Sequence, residues 1–127
     1  MNNTTGNIIG EWKLETFYEM TNNSNRLGKF DEYQKKHAQY GRLIYSRNHV
    51  IASLMVGNKK TWYKGRYKIH DSKTILHVVS HSNLKKWVGK TLIRKWNMPS
   101  YDSLVIQCEE AITKNFSQLL MLKWKRY

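Results

Sequence analysis

Three strand-like runs separated by two turns occupy the middle of this chain, between Gly65 and Trp96. The turn signals are Asp71-Ser72-Lys73 and the segment 83–85, and runs joined in this way are typical of an antiparallel meander. Side chains of a strand alternate between its two faces, and one face here is mostly apolar with a few polar groups. That face comprises Tyr63, Tyr67, Ile69, Ile75, His77, Val79 and His81. The inside of a small β-barrel with a ligand cavity needs such a face.

The length and composition indicate one folded domain. The chain has 127 residues, so we treat 1–127 as a single domain with its own core. It is 40% hydrophobic and 13% aromatic, which is too apolar for a disordered chain even at a net charge of +13. We expect no membrane span, because no apolar run approaches the roughly 20 residues required.

The ends and the cysteine content favour a cytoplasmic protein. Residues 1–7 have neither a basic segment nor an apolar core, so we expect a flexible N-terminus and no signal peptide. Cys108 is the single cysteine, which excludes an internal disulfide and suits a reducing compartment.

The charge is strongly positive, with 22 Lys and Arg against nine Asp and Glu. A basic domain attracts nucleic acid or an anionic surface. The basic residues are nevertheless spread along almost every predicted strand, as in Lys64, Arg66 and Lys68. This distribution favours a solvated outer face, with lysines that protect strand edges, over nucleic-acid binding.

Eight strands are predicted from alternation and turn signals. Their ranges are 8–20, 41–46, 49–56, 62–70, 74–82, 86–96, 103–109 and 118–126. Between the first two, residues 21–40 predict a loop with a short helix that begins at Asp31 and extends to Ala38, acting either as a plug or as a mobile lid. The other connections are short. We therefore predict an all-β, eight-stranded, antiparallel up-and-down barrel, since an open sandwich would leave unprotected edges.

The two ends of the chain resemble those of lipocalins. Gly10-Glu11-Trp12 in the first strand resembles the Gly-x-Trp signature of that family, and Arg126 stands where lipocalins place an arginine against this tryptophan. A guanidinium stacked on an indole gains cation–π energy while its N–H groups bind neighbouring carbonyls. The resemblance implies that Trp12 and Arg126 close one end of the barrel.

Five further blocks are similar to the bacterial and fungal lipocalin-like domain family and follow in its order, and together with the first they cover the chain from about Ile9 to Arg126. They are Tyr40-Gly41-Arg42-Leu43-Ile44-Tyr45, Tyr63-x-Gly65-Arg66-Tyr67, His77-x-Val79-x-x-Ser82, Trp87-Val88-Gly89-x-x-x-x-Arg94 and Leu122-x-Trp124-x-Arg126. Two positions depart from the family: Lys85 replaces a usual proline, and Asn48-His49 replaces a frequent glycine hairpin. Members occur beside secondary-metabolite genes, so the resemblance implies small-molecule binding more firmly than any reaction.

His77 and Arg94 are the strongest candidates for chemistry. His77 shares a face with Ile75 and Val79, where a neutral imidazole can act as acid or base, or can be a core histidine satisfied by a neighbour. Arg94 lies between Leu92 and Trp96, and alternation does not decide whether that face is interior, because both faces contain apolar residues. The resemblance favours the interior.

The complete predicted site combines hydroxyls, aromatic rings and two ionisable groups. The predicted ligand-binding residues are Tyr45, Ser53, Tyr63, Tyr67, His77, Arg94 and Trp96, with Trp12, Leu54 and Leu122 as further apolar walls. These side chains could instead simply fill the barrel. No third ligand accompanies His77 and His81, and no phosphate loop or nucleophile elbow is present, so no metal and no cofactor are predicted.

The sequence thus predicts a cytoplasmic barrel that binds a small, largely apolar ligand, one that could carry an acid group. The alternative is a cyclase or isomerase in which His77 or a tyrosine moves a proton. An anomalous pKa or a His–Tyr pair inside the cavity would favour the enzyme. A third, less favoured function is binding of nucleic acid or an anionic surface by the outer lysines.

Overall fold

The computed structural model describes the backbone of residues 8–23, 34–36, 38–56, 58–113 and 116–127, and the side chains of 8–18, 40–55, 58–108 and 120–127. The strands are β1 (Gly10–Asn23), β2 (Gln34–Lys36), β3 (Ala38–Tyr45), β4 (His49–Val56), β5 (Lys59–Ile69), β6 (Thr74–Ser82), β7 (Thr91–Ser100), β8 (Ser103–Thr113) and β9 (Phe116–Arg126). Lys85–Trp87 forms one turn of 3-10 helix. Within these ranges, no helical segment has the length and apolar character needed to cross a membrane.

The strands close into a barrel. From β3 to β9 each strand pairs antiparallel with the next, and β1 pairs with both β3 and β9. Residues 10–13 of β1 pair with β3, and residues 17–19 of β1 pair with the short β2. β2 and β3 therefore lie end to end along the same edge of β1. The barrel therefore has eight strand positions, and the prediction of a closed, antiparallel up-and-down barrel is confirmed.

The segment after the first strand differs from the prediction. β1 extends to Asn23, Gln34–Lys36 is a strand, and β3 already begins at Ala38. A helix over 31–38 is therefore wrong at residues 34–36, which pair with β1, and at Ala38, which pairs with β4. Residues 24–33 lie outside the described part of the chain, as do residues 1–7, so the lid, the plug and the flexible N-terminus remain predictions.

The connection between β6 and β7 also differs from the prediction. The sequence places a strand from residue 86, but Lys85–Trp87 is helical and β7 begins at Thr91. Gly89 has a φ of 82°, a left-handed conformation that glycine adopts without steric cost, and its N–H binds the Val79 carbonyl at 2.9 Å. The turn that the sequence predicts over 97–102 shortens to the two residues between β7 and β8.

One end of the barrel is closed by aromatic rings around an arginine. Trp12 is fully buried and donates its Nε1–H to the Ile8 carbonyl at 3.0 Å. The Arg126 guanidinium lies 4.2 Å from the Trp12 ring centroid and 4.0 Å from that of Tyr101. It also donates to the carbonyls of Ile9 and Tyr101, each at 2.9 Å. Cation–π attraction and directed hydrogen bonds hold this end together.

A bulge in the β5–β6 pair decides which histidine faces inward. The register shifts by one residue at Gly65, where a Cβ atom would lie only 1.9 Å from the Val78 carbonyl oxygen. The extra residue in β6 reverses the alternation beyond Val79. His77 is buried, but His81 pairs with Lys64 and is exposed, so the prediction that His81 shares the inner face is wrong.

Candidate functional site

A cavity of about 100 Å³ lies inside the barrel, away from the end closed by Trp12 and Arg126. Its wall is mostly apolar, and the aliphatic part comprises Leu43, Ala52, Leu54, Ile106, Leu120 and Leu122. An apolar protein cavity of about 150 Å³ is able to hold benzene. The space here is about two-thirds of that volume and is not fully enclosed, so it has room for at most one ring or one short branched group.

Two tyrosines and a histidine form a hydrogen-bonded chain in this wall. The Tyr45 hydroxyl lies 2.7 Å from His77 Nε2, and the Tyr63 hydroxyl lies 2.6 Å from His77 Nδ1. β3, β5 and β6 supply the three residues at inward positions. Tyr63, His77 and Arg94 line the cavity, whereas Tyr45 lies behind His77. Both ring nitrogens of His77 are thus engaged.

Burial keeps this chain uncharged. Burial, and next the positive charge of Arg94, lower the pKa of His77 to about 3. Burial likewise raises the pKa of Tyr45 and of Tyr63 above the ordinary phenol value, while Arg94 opposes the rise at both. At neutral pH the cluster therefore consists of a neutral imidazole and two protonated phenols beside one guanidinium.

The hydrogen-bond pattern decides where the protons lie. A neutral imidazole donates from one nitrogen and accepts at the other. If Nε2 carries the proton, Tyr63 donates to Nδ1, and the Tyr45 O–H, which does not reach the cavity, has no acceptor within this group of three. A buried donor without an acceptor costs about 1–3 kcal/mol. If Nδ1 carries it, Tyr45 donates to Nε2 and Nδ1–H donates to the Tyr63 oxygen. Either tautomer leaves one tyrosyl O–H over, and the second leaves that of Tyr63, which lines the cavity and is able to donate to a ligand there.

Two further donors belong to the same wall. The Arg94 side chain is only 7% exposed and reaches the Tyr63 hydroxyl as a hydrogen-bond donor. Trp124 lines the cavity, and its Nε1–H is buried with no acceptor among the described residues. A buried N–H without a partner costs about 1–3 kcal/mol. The wall is therefore set up to bind an acceptor.

The remaining residues of the predicted site are placed differently. Tyr67 and Trp96 are buried but do not line the cavity: the Tyr67 hydroxyl donates to the Ser46 carbonyl at 2.8 Å, and Trp96 Nε1–H donates to the Asp71 carbonyl at 3.3 Å. Both bonds go to the loops at the closed end. Ser53 borders the cavity and also a depression on the outer face.

Sequence reasoning missed several residues of the wall. Trp87 was placed on a strand, but it lies in the 3-10 turn and packs edge-on against Tyr63, with ring centroids 5.5 Å apart. Cys108 is buried and faces the cavity. Its alternation with Leu104 and Ile106 was a usable signal, because those two are buried. No group of three or more metal-ligating side chains occurs among the described residues.

Comparisons with known proteins identify the fold alone. No family model matches this chain, and no curated protein matches it. A solved structure described as a redesigned beta barrel is similar to it, with a TM-score of 0.60, 11% identity and coverage of 100% of this chain and 97% of that chain. A closed barrel of this kind is compatible with binding a small ligand. Membership of the lipocalin-like domain family stays a prediction.

Proposed function

We propose that this barrel binds a small apolar ligand through a hydrogen-bond acceptor, and that the acceptor is a carboxylate. One observation carries the proposal: the polar groups buried in the apolar wall present donors. They are the Tyr63 O–H, the Trp124 Nε1–H and the Arg94 guanidinium. The acceptor nitrogen of His77 is already used by Tyr45. A carboxylate accepts several charge-assisted bonds and satisfies the unpaired indole N–H.

Size and charge support the same class of ligand. A cavity of about 100 Å³ holds one ring, and Trp87 and Tyr63 supply aromatic edges against it. The net charge of +13 attracts anions towards the protein from a distance. A one-ring aromatic acid such as benzoate is therefore a suitable probe.

We expect affinity to increase from toluene to benzamide to benzoate, because these probes share a ring but add an acceptor and then a charge. Arg94→Met should weaken benzoate about 10- to 100-fold and benzamide much less, since a bond to a charged group contributes about 1.5–3 kcal/mol. Tyr63→Phe should weaken benzoate and benzamide about 5- to 10-fold and leave toluene unchanged. Isothermal titration calorimetry measures all nine pairs of protein and probe.

Tyr67→Phe is the matched control for Tyr63→Phe. Its hydroxyl is bound to the Ser46 carbonyl outside the cavity, so its loss should leave all three affinities unchanged. Equal binding of toluene and benzoate by the wild type would contradict the role of the donors. Binding of none of the probes would contradict the proposal as a whole.

Catalysis is the second candidate function, and the Tyr63–His77–Tyr45 chain is the observation that favours it. A chain of this kind can pass a proton from one end to the other. An anomalous pKa was expected to favour the enzyme, but the direction of the shift at His77 does not. An imidazole with a pKa of about 3 is a weak base at neutral pH, and the phenols hold their protons. Exchange of the α-protons of phenylacetone in D₂O, if accelerated by wild type and lost in Tyr63→Phe, would establish catalysis instead of binding alone.

A further inference from the structure

The outward side chains of β5 form a single row on the barrel surface. Tyr63 and Tyr67 point inward, so the residues between and beside them point outward. The row is Lys60, Trp62, Lys64, Arg66 and Lys68, in which all four cations are exposed. Alternate residues of a strand are about 6.6–6.8 Å apart. This repeat is close to the distance between successive phosphates of an extended nucleic-acid strand.

A depression of about 330 Å³ lies beside this row. Arg42 on β3, Ser53 on β4 and Trp62 on β5 are neighbours across the sheet and all border it. Ser53 is small, so the surface between the Arg42 guanidinium and the Trp62 indole is recessed. With strands about 4.8 Å apart, the two flanking backbones are separated by about 9.6 Å. This is a slot for a flat ring, which an indole and a guanidinium both stack against.

The three strands at the centre of this surface, β4, β5 and β6, carry no acidic residue. An acid does border the slot at one side, where Glu11 on β1 binds the Arg42 guanidinium and holds it in place. Four basic residues stand at alternate positions of β5 with Trp62 among them, so the extended backbone presents them as one exposed row.

We propose that the outer face of β3, β4 and β5 binds single-stranded nucleic acid, with phosphates along the β5 row and an unstacked base in the slot between Arg42 and Trp62. The combination of a cationic track with a stacking platform is how proteins bind single strands without reading their sequence. A duplex keeps its bases stacked and offers no free ring to the slot. This proposal is independent of ligand binding inside the barrel.

The apolar side chains near the row do not favour a membrane surface. Ile51 and Val78 are 45% and 43% exposed, on the strands that flank β5. They are shorter than the lysines and arginine beside them, so a flat bilayer meets the cations first and the apolar groups do not insert. A base hanging from a flexible backbone is able to reach between the cations.

The test uses fluorescence anisotropy of a fluorescein-labelled 15-mer of deoxythymidine. Removing three charges from the row should weaken binding about 100-fold at 0.1 M NaCl and reduce the salt slope by about 2, at about 0.7 per phosphate contact. The matched control removes three exposed charges from the outer faces of β1 and β9, with the same change in net charge, and should weaken binding less than about 5-fold. The row variant is Lys64→Gln/Arg66→Gln/Lys68→Gln, and the control is Lys13→Gln/Lys123→Gln/Lys125→Gln.

A second variant tests the slot. Trp62→Ala should weaken binding about 10-fold, as expected for one lost base stack, whereas Tyr127→Ala, which removes a 67% exposed ring elsewhere, should have no effect. Tyr63→Phe inside the barrel should also have no effect. Equal losses of affinity in the two triple variants would overturn the proposal, because binding would then depend on the overall positive charge and not on the β5 row. Equal binding of a duplex, or preferential binding of phosphatidylserine vesicles, would overturn it as well.

Discussion

Acidification from pH 7 to pH 4 is expected to lower the free energy of unfolding by about 3 kcal/mol through His77 alone. The unfolded chain binds a proton at this residue near pH 6.5, but the folded chain does so only near pH 3, where the pKa of His77 lies. Between these values the unfolded state carries the extra proton. The contribution of His77 to the free energy of unfolding is therefore complete above pH 6.5. It decreases by about 1.4 kcal/mol per pH unit between pH 6.5 and the folded-state pKa of about 3.

Urea unfolding of His77→Gln, compared with wild type at several pH values, isolates this effect. Glutamine is able to donate to one tyrosine and accept from the other, but it does not titrate. The variant should lose the slope of one proton between pH 6 and pH 4. His81→Gln is the matched control, since His81 is exposed on the same strand and its loss should leave the slope unchanged. A wild-type slope in His77→Gln would show that His77 binds protons equally in the folded and unfolded states, which would contradict a buried, neutral imidazole.

Ala52→Phe is expected to reduce binding of benzoate more than 100-fold, because its ring occupies the space that the ligand needs. Ala52 lines the cavity and lies across from Leu43 and Tyr63 on the neighbouring strands. A phenyl group at this position fills most of about 100 Å³. Overpacking costs about 1–3 kcal/mol, so thermal unfolding must show that the variant folds. Calorimetry with benzoate then measures the loss of binding.

Ile51→Phe is the control for the cavity-filling variant. Ile51 is the preceding residue of β4, points outward and is 45% exposed, so its ring should change neither the cavity nor the affinity. Leu54→Trp, which narrows the same cavity from another position, should weaken binding as well. Wild-type affinity in both Ala52→Phe and Leu54→Trp would place the ligand outside the barrel.

The closed barrel could be predicted because its strands have one buried and one solvated face. In β5 the exposed and buried residues alternate strictly from Tyr63 to Lys68, and a period of two over such a run is specific to strands. The orientation of the Arg94 side chain was harder to predict, because the neighbouring Ile93 and Leu92 are both apolar. Ile93 proves to be 61% exposed, and only the structure shows that Leu92, Arg94 and Trp96 face inward.

Alternation shows which face of the strand a side chain is on, but not its position along the barrel axis. Tyr67 and Tyr63 were predicted to share the site, and both are buried. They lie four residues apart on β5, which is two strand repeats, so the Tyr67 hydroxyl binds a loop at the closed end while the Tyr63 hydroxyl meets His77. The position along the axis depends on the stagger of the strands. That stagger comes from pairing between distant segments, so the local sequence does not indicate it.

The alternation of apolar and polar residues also did not predict bulges or short turns. The shift at Gly65 moves His81 to the outside, because a one-residue slip reverses the face of everything beyond it. Trp87 entered the cavity wall from a 3-10 turn that was predicted as a strand. The position of Arg42 across from Trp62 likewise follows from strand pairing, whereas the row of cations on β5 follows from their spacing of two in the sequence.

The imidazole nitrogen spectrum of His77, recorded at pH 7 on ¹⁵N-histidine-labelled protein during titration with benzoate, reports directly on ligand binding at this wall. We expect a neutral ring protonated on Nδ1 whose nitrogen resonances shift on binding, because the ligand meets the Tyr63 hydroxyl bound to that nitrogen. The shift should be absent in Ala52→Phe. A charged ring, a proton on Nε2, or resonances that stay unchanged at saturating benzoate would rule out binding at the Tyr63–His77 pair as proposed.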